Sequence, residues 1–174
     1  HISIRLKNNL MENVNWGIVG CGNVCERKSG PPMYKTKHSA LVAVMRRDAE
    51  KAADFAQRHG VRKSYTDAAA LIADPEVDIV YIATPPDTHC RLARQVLEAG
   101  KPAYVEKPMA MTHAECTAMN DAAAKAGQKL FVAYYRRALP YFQAALEARP
   151  GDDDTKEFIE RCKKGISLPQ FWEC

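Results

Sequence analysis

The stretch WGIVGCGNVCERKSGPP, residues 16–32, reads as a strand, a tight turn and a helix. Gly20-Cys21-Gly22 supplies two of the three glycine positions of a dinucleotide fingerprint. The first glycine makes the turn, and the second lets the backbone approach a pyrophosphate. Such an anion lies at the N-terminus of the following helix, where free N–H groups and the dipole favour negative charge. The third position is Cys25 rather than Gly or Ala, so looser helix–strand contact is expected there. Two spaced glycines serve many turns; these gain weight from standing at the first β–α junction of an alternating chain.

That alternation continues outward. Strands are expected at Asn15–Gly20, Leu41–Met45, Asp78–Ala83, Ala103–Glu106 and Leu130–Tyr134. Several are apolar without strict alternation, as strands covered on both faces should be. Helices are expected near Asp48–His59, Asp67–Ala73, His89–Ala99 and His113–Ala126, with Asp48 and Asp67 as N-caps. Gly60, Gly100 and Gly127 stand where helices end on a left-handed residue. The pattern predicts an α/β fold with a doubly wound parallel sheet, the Rossmann dinucleotide-binding arrangement. A helix to about Glu147 is expected to close that domain, giving an extension over 1–13, the domain over 14–147 and an atypical tail over 148–174. In the tail, Asp154 and Glu157 have the spacing of a capping box.

Composition narrows the class. The 174 residues are 47% hydrophobic and 26% charged, with a net charge of +4. That is an ordinary soluble composition, large enough to bury a core without disulfides. Basic residues occur in short pairs without interleaved aromatics, which argues against nucleic acid and for small anionic ligands. The six cysteines form no C-x-x-C pair and match no zinc spacing, so reduced thiols in the cytoplasm and no metal are expected. No apolar run approaches a membrane span.

The second strand, LVAVM, ends in Arg46-Arg47. NAD-selective folds place Asp or Glu there for the ribose 2′-hydroxyl. Two guanidiniums suit a 2′-phosphate instead, because Arg binds phosphate oxygens bidentately. Asp48 follows, better placed to cap a helix than to hold a ribose. NADP(H) is therefore expected over NAD(H), the alternative being two solvated arginines.

Together GIVGCGNV, YIATPPDTH (81–89) and AGKPAYVEKPMA (99–110) resemble the glucose–fructose oxidoreductase/inositol dehydrogenase/MocA (Gfo/Idh/MocA) family over about Val14 to Phe142. The resemblance implies a hydride transfer between a nicotinamide cofactor and a hydroxyl-bearing carbon of a sugar, polyol or diol. It is nearest to NADP-linked sugar or dihydrodiol members. It implies that Gly20, Gly22, Asn23, Val24, Arg46, Arg47, Thr84, Pro85, His89, Glu106 and Lys107 line the cofactor, and that Lys107 lies near the reacting carbon. Family members add a C-terminal α/β domain with a D-x-x-x-H pair. No histidine follows His113 here, so the chain reads as lacking that domain, through which the family commonly oligomerises. A non-catalytic dinucleotide-binding module is the alternative.

Glu106 and Lys107 stand at a strand's carboxyl end, where open parallel sheets bind ligands. An ammonium there can stabilise a developing alkoxide or act as a general acid. Glu106 is expected to position the amine or offset its charge, and Pro108 to fix the exit from the strand. A simple surface ion pair is the bland alternative. Asp87 is a candidate N-cap for the helix opened by His89, while His38, His59 and His113 read as surface or helix-end residues. Tyr134, Tyr135, Arg136 and Arg137 close the last strand, as substrate contacts or as packing and surface charge.

Overall fold

A computed structural model describes residues 13–134. The helix expected to Glu147, the Asp154 capping box, Tyr135, Arg136, Arg137 and the N-terminal extension short of Asn13 lie outside the described residues.

Six parallel strands form one sheet in the order β3-β2-β1-β4-β5-β6. They are β1 (Val14–Val19), β2 (Ser39–Met45), β3 (Lys63–Tyr65), β4 (Ile79–Ile82), β5 (Ala103–Val105) and β6 (Leu130–Val132). This is the doubly wound Rossmann order, whose switch point falls between β1 and β4. After β1 come a π-helical turn, Cys25–Ser29, and α1 (Gly30–Lys35). These pack with α2 (Ala49–His59) on one face, around Ile18, Cys25, Met33, Val44, Phe55 and Tyr81. On the other face α3 (Ala68–Ala73), α4 (His89–Glu98) and α5 (His113–Ala126) cover Val19, Val42, Val80, Ile82 and Val105. Successive side chains point to opposite faces, so both must be apolar where both are covered.

The expected caps form. Asp48 accepts from Lys51 N–H at 3.1 Å and Asp67 from Ala70 N–H at 3.0 Å. Thr112 and Glu115 make a capping box on α5 that had no place among the expected caps. Cys25 is fully buried, and a π-helical turn, which holds one residue more than an α-turn, begins there. Pro31 and Pro32 follow directly, and their missing N–H groups could not have continued an α-ladder. Gly30 lies against Cys25 O, with no space for a β-carbon.

The strand β3 was absent from the periodic pattern because KSY is short and polar. It is pinned by a carboxylate. Asp74 is 4% exposed and accepts from Lys63 Nζ at 2.9 Å, Tyr65 OH at 2.9 Å and Glu76 N–H at 3.0 Å. Burial alone would raise its titration, but Lys63, the Glu76 amide and Tyr65 outweigh burial and hold it down at about 2. A carboxyl that titrates lower folded than unfolded stabilises the fold above its unfolded value, ordinarily 3.8, and loses that contribution as pH falls towards 2. Asp74→Asn is expected to destabilise the fold by about 2 kcal/mol at pH 7. It should also flatten stability between about pH 4 and pH 2. Urea midpoints across that range are the check; parallel acid losses in both proteins would contradict it.

Candidate functional site

At the switch point the β1 and β4 ends are close enough to exclude a side chain. Gly20 has φ +91°, and a β-carbon there would lie 2.7 Å from Thr84 Cγ2 and 3.0 Å from Ala83 C. The N–H groups of Gly20 and Cys21 both donate to Met45 O, at 2.9 and 3.1 Å, tying the turn to the end of β2. Gly22 differs. A β-carbon there would find nothing nearer than Gly20 O at 3.9 Å, so the protein itself does not require a glycine. Its open side is a cradle that a side chain would fill. Asn23 and Val24, the next two residues, are exposed beside it. Beneath the turn Cys21 and Cys25 are fully buried, and burial pushes their thiols up to about 11 and 12. They therefore stay protonated and pack as small apolar groups.

Arg46 and Arg47 follow β2, half-buried and exposed, with Arg46 N–H donating to Tyr65 O at 3.1 Å. Neither guanidinium engages a carboxylate among the described residues. Asp48 is committed to its cap and to Lys51 Nζ at 2.8 Å. Arg58, by contrast, is taken up by Glu26 at 2.6 Å and Asp54 at 2.7 Å. Glu26 also meets His59 Nε2 at 2.8 Å, with the His59 side chain only 11% exposed, so that helix-end histidine is built into the fold.

After β4 the loop closes on itself. Thr88 Oγ1 donates to Pro85 O at 2.7 Å, so the 2.6 Å contact with Thr84 Oγ1 is a donation from Thr84. Asp87, expected from the sequence to cap α4, does not. It lies inside the 3-10 turn Pro86–Thr88, the cap position belongs to Thr88, and no side chain caps this helix. His89 is fully buried; Nδ1 lies 2.9 Å from Pro108 O and Nε2 2.8 Å from Thr84 O. It joins the two loops beneath the crevice and presents no free ring nitrogen to it.

Glu106 N–H donates to Ile82 O at 2.9 Å, which sets the end of β5 level with that of β4. Its carboxylate accepts from Tyr81 OH at 2.6 Å and from Lys107 N–H at 3.0 Å. Lys107 is exposed, and its ammonium makes no ion pair among the described residues. The ion-pair alternative is thus corrected: Glu106 holds the main chain of Lys107. Tyr81 was read only as a strand residue, although a hydroxyl in an apolar row signals a buried partner. A groove of about 300 Å³ along α4, lined by Asp87, Cys90, Arg94 and Glu115, contains none of the other candidates.

A model of the Gfo/Idh/MocA oxidoreductase family, with an NAD-binding Rossmann fold, matches residues 14–134. The chain is 50% identical over 129 residues to "Oxidoreductase P35" of Formosa agariphila, covering 74% of this chain and 40% of that protein. It is 32% identical over 133 residues to a trans-1,2-dihydrobenzene-1,2-diol dehydrogenase of Macaca fascicularis, covering 75% and 40%. The chain thus spans about 40% of the length of these curated relatives. Among solved structures, the WlbA dehydrogenase of Bordetella pertussis, in complex with NADH and UDP-GlcNAcA, superposes with a TM-score of 0.72 at 26% identity, over 78% of this chain and 41% of that one. The 3-ketoreductase KijD10 of Actinomadura kijaniata, with NADP and TDP-benzene, gives a TM-score of 0.74 over 78% and 41%, and at 22% identity it shares the fold.

The two turn glycines should separate experimentally. Gly20→Ala, at a positive φ and against Thr84, is expected to cost roughly 2 kcal/mol or more. Gly22→Ala should stay within about 0.5 kcal/mol of the parent. Thermal midpoints of the two variants test this; equal losses would contradict the assignment of space.

Proposed function

The chain belongs to the Gfo/Idh/MocA oxidoreductase family with its NAD-binding Rossmann fold, and from that premise we propose that it holds NADP(H) across the strand tips for hydride transfer. The substrate carbon bears a carbonyl or hydroxyl group on a sugar, polyol or diol. The observation that carries this reading is a row of uncommitted cations, Arg46, Arg47 and Lys107, around a turn whose Gly22 leaves space the protein does not use.

The residues present fit the cofactor. Gly20, Gly22, Asn23 and Val24 form the cradle for its diphosphate; the N–H groups of Cys25 and Glu26 are bonded to Gly22 O, which leaves those of Asn23 and Val24 to donate. Arg46 and Arg47 meet the 2′-phosphate. Thr84 and Pro85 wall the crevice on the β4 side, and His89 keeps that wall in register with the Lys107-Pro108 turn. The nicotinamide, when bound, supplies or takes up the hydride. Lys107 donates a hydrogen bond to the substrate oxygen and stabilises negative charge as it grows there. Glu106 fixes the main chain from which Lys107 projects.

The choice of NADP rests on Arg46 and Arg47, since the family's own description names NAD and a solved relative was captured with NADH. Substituting Arg46 by Asp is expected to reduce the ratio of NADPH to NADH affinity by about tenfold or more, the loss of a charge-assisted phosphate contact. Equilibrium titration with each dinucleotide measures it; an unchanged ratio removes Arg46 from the site. Lys107→Ala should lower turnover of sugar or diol substrates by roughly a hundredfold or more. The NADPH dissociation constant should meanwhile move less than about threefold. Turnover undiminished in that variant would refute the role of the amine, and NADPH binding without any turnover in the parent would make the chain a dinucleotide-binding module.

A further inference from the structure

Glu106 and Lys107 are adjacent in sequence, yet the acid does not neutralise the base. Tyr81 accounts for this. It lies in β4 with its side chain fully buried, and its hydroxyl donates to Glu106 Oε1 at 2.6 Å. A phenol within an apolar row needs a partner, and the pleat determines which one is in reach. Tyr81 is in register with Tyr104 on β5. Glu106 follows the end of β5, two residues beyond Tyr104, and its carboxylate reaches back to the Tyr81 hydroxyl on that face. The second oxygen, Oε2, accepts from Lys107 N–H at 3.0 Å. Both carboxylate oxygens are therefore directed at the protein. Burial first, and the Glu106 carboxylate second, raise the titration of Tyr81 well above the ordinary phenol range, so it remains a donor at any working pH.

We infer that Tyr81 is a positioning residue that holds the Glu106 carboxylate inward and so keeps the Lys107 ammonium free for an external partner. Its value to the chemistry rests on the proposed role of Lys107, but the contact itself does not. A surface carboxylate beside an ammonium is ordinarily free to swing onto it. Here the swing requires breaking the bond to Tyr81, which would leave a buried hydroxyl without a partner.

Reductive methylation of the full chain without nucleotide, read by peptide mass spectrometry, measures the availability of Lys107 against the exposed Lys37 and Lys125 as internal standards. Tyr81→Phe preserves the ring and removes the donor. It is expected to slow methylation of Lys107 by about two- to fivefold, the range that an exposed ion pair supplies, because the released Glu106 engages the amine. Glu106→Gln should leave the parent rate unchanged, since that carboxylate is not the amine's partner, and Tyr81→Phe combined with Glu106→Gln should restore it. The inference is overturned if Tyr81→Phe folds and leaves the rate unaltered, or if Glu106→Gln alone accelerates it. Should Tyr81→Phe fail to fold, Glu106→Gln decides by itself: an unchanged rate supports the inference and a faster one overturns it. No nucleotide enters the assay, so absence of NADP(H) binding would leave this result readable, and failure here would leave the cofactor reading standing.

Discussion

The structure depends on the close approach of two strand ends, Gly20 after β1 and Thr84 after β4, with no space for a β-carbon between them. Chain leaving β1 packs on one face of the sheet, and chain leaving β4 packs as α4 on the other. Because the two connections diverge, neither covers the tips, and a crevice opens where the strand order reverses. The remaining candidates are placed relative to that pair: Met45 O holds the glycine turn, Tyr65 O holds Arg46, and Ile82 O holds Glu106. The crevice is thus a consequence of backbone pairing, and side-chain chemistry is laid upon it.

Charge is distributed unevenly around that crevice. Three carboxylates near it are occupied: Asp48 caps α2, Glu26 binds Arg58 and His59, and Glu106 binds Tyr81. Arg46, Arg47 and Lys107 make no ion pair among the described residues. Cations gathered at parallel strand ends, beside the start of a helix, create a positive potential towards which an anionic ligand is drawn. The contacts of Asp48 and Glu26 also support the fold, so removing either acid disturbs stability and site together.

Much of this was legible in the sequence because it follows from periodicity and turn chemistry. Asp48, Asp67, Gly60 and Gly127 mark helix ends through side-chain and left-handed preferences that act locally. Apolar strands covered on both faces announced the parallel sheet and hence the crevice. What was not legible depends on distant partners. KSY pairs with β2 as a strand, and Asp74 binds both Lys63 and Tyr65 of it. Asp87 has a capping residue's chemistry but sits one residue too early, since Thr88 closes the loop first. Glu106-Lys107 resembles an ion pair in one dimension, whereas Tyr81, 25 residues away, claims the acid. His89 likewise reads as a crevice residue, and only the fold shows both its nitrogens spent on main-chain carbonyls.

Amide hydrogen exchange of the full chain with and without saturating NADPH tests the central claim most directly, because it reports location as well as binding. The account predicts slowed exchange confined to the tips of β1, β2, β4 and β5, in the turns at residues 20–26, 46–48, 83–88 and 106–109. Protection along the outer groove of α4 with these turns unchanged, or no protection anywhere, would contradict it.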